Sequence, residues 1–193
     1  MSLWGASQQL RGKVARLHNG PRSYDKRVSM NPDIETWARQ LGTKLQAHQL
    51  MATTAESCTG GGVAYAITDI SGSSAWFDRS FITYTNVAKM QMLGVAESTL
   101  LVHGAVSREV VSAMALGALT HSVAQISVAI SGIAGPQGGT VDKPVGTVWF
   151  AWARSADPSA TLVTECFHLI GDRRQVREQA IEIALQGMCK LIQ

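Results

Sequence analysis

Short apolar runs alternate along this chain with stretches of helical periodicity, and that alternation leaves few architectures open. Asn31 can cap a helix with Pro32 at its first position, and Ile34, Trp37, Ala38, Leu41 and Leu45 predict one buried helical face over 33–48. Leu50–Ala55 reads as a strand, followed by Glu56-Ser57-Cys58-Thr59-Gly60-Gly61-Gly62 and a helical stretch Val63–Thr68. Ser80–Tyr84 reads as a strand leading into a helix from about Asn86 to Leu93, stopped by Gly94. Ser107 can cap the next helix, which carries Val110, Val111, Met114, Leu116 and Leu119. Ile126–Ile130 is a buried strand ending in Ser131-Gly132-Ile133-Ala134-Gly135-Pro136-Gln137-Gly138-Gly139, Val145–Ala153 and Leu162–Leu169 are further strands, and Asp172 caps a last helix to about residue 191. The expected fold is α/β, a three-layer α/β/α sandwich around a largely parallel sheet.

Charge divides the chain. Residues 1–29 hold six basic side chains against Asp25 alone, a net of +5, while residues 30–193 hold eleven basic and thirteen acidic side chains, a net of −2. The basic balance therefore belongs to a polar, aperiodic leader, and a nucleic-acid footprint on the folded part loses its main support. Met30-Asn31-Pro32 reads as a fresh beginning, so 1–29 is expected to be an expression remnant, upstream translation or a disordered tail, and 30–193 the folded domain. No apolar run approaches the roughly 20 residues that span a bilayer, and the first residues show no apolar segment followed by a small-residue cleavage site, so secretion is not expected. Cys58, Cys166 and Cys189 are widely spaced, and the five His form no metal-ligand pair, so neither a disulfide framework nor a metal site is expected. This usage suits the cytoplasm.

Ligands of open α/β sheets gather at the carboxyl ends of strands, where three segments converge: 56–62, 84–89 and 131–139. A serine on a glycine-lined strand-to-helix turn can meet a substrate beside backbone N–H donors, although Ser57 and Thr59 could equally serve only as helix caps. Lys89 lies near the start of a helix, where the dipole opposes its charge and favours the neutral amine that a base requires. An ordinary solvated lysine is the competing reading. Cys58 is a rival nucleophile. The glycines after Ile130 match no P-loop or dinucleotide fingerprint, yet offer amides for a phosphate or ribose, with Lys143 nearby. Arg173, Arg174 and Arg177 open the last helix and could reach a phosphate or form a solvated face.

Taken together, the stretches Ala55-Glu56-Ser57-Cys58-Thr59-Gly60-Gly61, Gly72-Ser73-Ser74, Tyr84-Thr85-Asn86-Val87-Ala88-Lys89, His103-Gly104-Ala105-Val106-Ser107, Ser131-Gly132-Ile133-Ala134-Gly135-Pro136, Lys143-Pro144-Val145-Gly146-Thr147-Val148 and Gly171-Asp172-Arg173 resemble the CinA C-terminal domain family, from about residue 33 to the end. The resemblance implies a three-layer α/β/α fold with a mixed sheet. It also implies hydrolysis of the carboxamide of nicotinamide mononucleotide to nicotinic acid mononucleotide and ammonia. Ser57 resembles the family's nucleophile, Tyr84 and Lys89 its activating partners, and Gly60 a residue of its glycine turn. Ser131 stands where relatives also carry threonine. The separate nucleotide-hydrolase domain of larger CinA proteins has no counterpart here.

The expected scheme has Lys89, held by Tyr84, accepting the Ser57 proton, with amides of Cys58, Thr59, Gly60 and Gly61 receiving the oxyanion. Ser131, Gly132, Gly135, Lys143 and Arg173 complete a substrate-binding set. No cofactor or metal enters, and the partner is a small molecule, with a homo-oligomer left open. Two rivals stand beside it: a non-catalytic nucleotide-binding module of competence or DNA-damage responses, and a hydrolase built on Cys58.

Overall fold

The computed structural model describes residues 31–155 and 161–192, so the expected leader lies outside the described residues. Its elements run α1 (Pro32–Ala47), β1 (Ala52–Glu56), α2 (Gly62–Thr68), β2 (Phe77–Ile82), α3 (Asn86–Leu93), α4 (Glu97–His103), α5 (Arg108–Thr120), β3 (Ile126–Gly132), β4 (Thr147–Arg154), β5 (Thr161–His168) and α6 (Arg173–Leu191). The five strands form one sheet in the order β2-β1-β3-β4-β5. β1 pairs in parallel with β2 and β3, whereas β4 is antiparallel to β3 and to β5, so β4 alone runs against the other four. The sheet is mixed.

Helix ends follow local chemistry. Asn31 Oδ1 accepts the Asp33 N–H with Pro32 at the first position, Thr85 caps α3, and Asp172 and Gln175 form a reciprocal capping box on α6. Gly94 adopts φ +68° and closes α3. Two elements depart from expectation. β2 lies at Phe77–Ile82, upstream of the expected Ser80–Tyr84, because the charged Asp78 and Arg79 can sit on a strand at the sheet's edge. Ser131 and Gly132 belong to β3 rather than to a loop, since both still pair with β4.

Helices cover both faces. α1, α2 and α6 pack over one face, where Ile126, Val128, Ile130, Val148, Phe150 and Trp152 enter the core. The opposite face meets α3, α4 and α5, and there the strands contribute Ala55, Ala129, Ala151 and Ala153. β3 and β4 thus send mostly bulky side chains one way and, Trp149 apart, small ones the other, while β2 adds Phe81 to the α5 side. β3, at the centre, is buried on both sides.

Candidate active site

Strand geometry settles which side chain of the Ser57–Cys58 pair meets α3. Pairing continues past the end of β1, with the Ser57 N–H bonded to the Ile130 carbonyl at 3.0 Å and the Thr83 N–H to the Glu56 carbonyl at 2.8 Å. Ala55 packs on the α3–α5 side and Cys58 on the α1–α6 side. By alternation Ser57 follows Ala55 towards α3. Lys89, in the second turn of α3, comes down onto it: Nζ lies 3.1 Å from Ser57 Oγ and 2.8 Å from the Thr83 carbonyl oxygen. Lys89 is 1% exposed and Ser57 9% exposed. Burial pushes the Lys89 amine below its ordinary range, and no carboxylate pairs with it among the described residues. A neutral amine donates to the Thr83 carbonyl and keeps a lone pair for the serine proton, as a general base needs.

Glu56 organises the turn that presents Ser57. Its carboxylate is fully buried and accepts from the N–H groups of Gly61 at 2.9 Å, Val63 at 3.1 Å and Ala64 at 2.9 Å. The hydroxyls of Thr59 (2.7 Å) and Thr54 (3.2 Å) also donate to it. Gly60 and Gly62 give their N–H groups to the carbonyls of Ser57 and Thr59. The N–H groups of Cys58 and Thr59 are left without an oxygen acceptor among the described residues. Gly60 and Gly61 have φ of +60° and +91°, which only glycine adopts at little cost. Arg177 of α6 braces the turn from behind, donating to the Thr59 carbonyl at 2.8 Å.

The other expected residues divide. Tyr84 does not hold Lys89. It is 60% exposed, and its hydroxyl accepts from Arg173 Nη2 at 3.0 Å, while the adjacent Thr83 carbonyl holds the lysine. Arg173 also donates to the Gly135 carbonyl at 2.9 Å, joining α6, the 133–146 segment and Tyr84 above the strand ends. Ser131 stands beside Ser57 in the sheet, but its hydroxyl is buried and donates to the Ala105 carbonyl at 2.7 Å. A Cβ on Gly132 would collide with Val148, so that glycine serves strand packing. Lys143 Nζ caps the end of α4 through the His103 carbonyl at 3.0 Å. Thr59 is fully buried with its hydroxyl on Glu56, so neither its hydroxyl nor its amide is open to a ligand, and the Gly61 amide is taken by Glu56.

Cys58 fails as a nucleophile. It is buried on the far side of the turn, and desolvation pushes its thiol up to about 11, so the reactive thiolate is absent near neutral pH. Glu56 was not among the expected site residues. Its signal was an acid immediately ahead of a glycine turn and a helix start, where N-terminal amides attract a carboxylate.

A model of the CinA C-terminal domain matches residues 34–192. The chain is 58% identical over 151 residues to the nicotinamide-nucleotide amidohydrolase PncC of Escherichia coli K12, covering 78% of this chain and 90% of that protein. It is 48% identical over 162 residues to the protein of the same name from Pseudomonas putida, covering 84% and 98% respectively. Among solved structures, the competence/damage inducible protein CihA from Agrobacterium tumefaciens superposes with a TM-score of 0.81 at 44% identity, covering 86% of this chain and 99% of that one.

Proposed function

The chain belongs to the CinA C-terminal domain family, and from that premise we propose that it hydrolyses the carboxamide of nicotinamide mononucleotide, yielding nicotinic acid mononucleotide and ammonia. The observation that carries the reading is the buried Lys89 amine within 3.1 Å of Ser57 Oγ. A lysine with no carboxylate partner costs stability when desolvated, and a module that only binds nucleotides has no use for it. The names of relatives at 58% and 48% identity supply the substrate.

Ser57 Oγ attacks the carboxamide carbon while its proton passes to Lys89 Nζ. The carbonyl oxygen, now an anion, is received by the Cys58 N–H, which no oxygen of the turn takes and whose residue keeps some exposed surface; such a donor typically contributes about 3 kcal/mol. The tetrahedral species collapses as Lys89 returns the proton to the departing nitrogen, which leaves as ammonia. Water, deprotonated by Lys89, then cleaves the ester and restores Ser57. Arg173, with unused N–H groups beside Tyr84, is the substrate-facing cation for the phosphate, and Lys143 is a second candidate. The reaction belongs to cytoplasmic nucleotide salvage.

Ser57→Ala provides the test. Ammonia release from nicotinamide mononucleotide should vanish while calorimetric binding persists. Undiminished turnover would end the scheme, and tight binding without ammonia release by the unaltered protein would favour the nucleotide-binding module instead.

A further inference from the structure

Glu56 is the only carboxylate among the described residues that is fully buried, and it sits next to the nucleophile. Five donors reach it within 3.2 Å, three of them backbone amides at the start of α2. A glycine turn feeding a helix N-terminus resembles a site for an external anion. Here the anion is supplied from within the chain, so a substrate phosphate finds those amides occupied. The bonds to Thr59, Gly61, Val63 and Ala64 fix the peptide planes on one side of the turn. Because the amides of Gly60 and Gly62 close short backbone bonds and Thr59 has no exposed surface, Cys58 alone keeps an N–H group to offer.

We propose that Glu56 is a positioning residue of the amidase reaction, its carboxylate locking the 57–61 turn so that the Cys58 amide faces the developing oxyanion. The proposal rests on the amidase reading given above. It assigns Glu56 an effect on the transition state and none on substrate affinity, since the carboxylate is enclosed by protein and touches no ligand. Glutamine at this position keeps one acceptor oxygen but sets an NH2 group against donors, loosening the turn while preserving side-chain size.

The experiment measures kcat and KM for ammonia release from nicotinamide mononucleotide, at temperatures where circular dichroism shows each variant folded. Glu56→Gln should lower kcat about a hundredfold, the scale of losing one oxyanion donor, with KM within about threefold and the acid limb of the pH–rate profile unmoved. Thr59→Val removes only the hydroxyl bond to Glu56. It should lower kcat about tenfold, again with KM retained, and it stands in if Glu56→Gln does not fold. A folded Glu56→Gln or Thr59→Val protein with kcat within about threefold of the parent overturns the role, as does a loss carried entirely by KM. If the unaltered protein releases no ammonia, the amidase reading and this role fall together; if it is active and the variants match it, only the role of Glu56 falls.

Discussion

Lys89 sits where a lysine is least comfortable, and its titration is the most direct consequence of the site. Desolvation lowers its folded pKa below the ordinary 10.5. Activity requires the neutral amine, so kcat/KM should rise with pH through that lowered value. The same shift has a thermodynamic sign. Between the folded pKa and 10.5 the unfolded chain binds the extra proton, so stability rises with pH across that window; below it both states are charged and the burial penalty is complete. Lys89→Met should therefore abolish ammonia release yet raise Tm at neutral pH, where about 1 kcal/mol corresponds to roughly 3 °C for a chain of this size. A lower Tm in a thermal melt would contradict this account of the lysine. The sequence put Ser57 at a strand end and Lys89 near a helix start, but left a helix cap and a solvated lysine as competing readings; only the family resemblance joined the two. The partner of Tyr84 was not legible, since Arg173 arrives from α6, 89 residues away. Nor was the role of Glu56 read, although an acid ahead of a glycine turn signalled it, since the bonds that converge on it come together only once the turn is folded.

At the scale of elements, capping signals located the starts of α1 and α6 and the end of α3, where Asn31, Asp172 and Gly94 do what their chemistry favours. α4 escaped sequence reading: it is only seven residues long and Ala96 gives it no side-chain cap. The position of α3 depends on a contact that no periodicity announces. A Cβ on Gly117 of α5 would strike the Leu93 carbonyl, so α3 reaches its place because that residue is glycine. Gly117→Ala should push the C-terminal end of α3 outward and draw Lys89 off Ser57. The expected outcome is a loss of kcat of at least tenfold together with a lower Tm, checked by steady-state kinetics and a thermal melt. An alanine variant with full activity would show that α3 has slack.

For the whole molecule, alternation was enough to predict helices on both faces of one sheet, but not the direction of every strand. The reversal of β4 had a signal: no helical stretch separates Gly139 from Val145, or Ala153 from Leu162, and without a crossover helix neighbouring strands return antiparallel. The family match begins at residue 34, and the charge asymmetry places the excess of basic residues before it. Removing residues 2–29 should leave Tm and ammonia release unchanged, and a large loss of either would give that segment a part in the fold.

The alanines on the α5 side of the sheet reach beyond packing. Ala55, Ala129, Ala151 and Ala153 determine how near α5 rides to the strands, and residues 104–107, which lead into α5, carry the carbonyl that Ser131 grips. The seat of α5, and with it the anchor of Ser131, is thus written in methyl groups that stand apart from the Ser57–Lys89 pair.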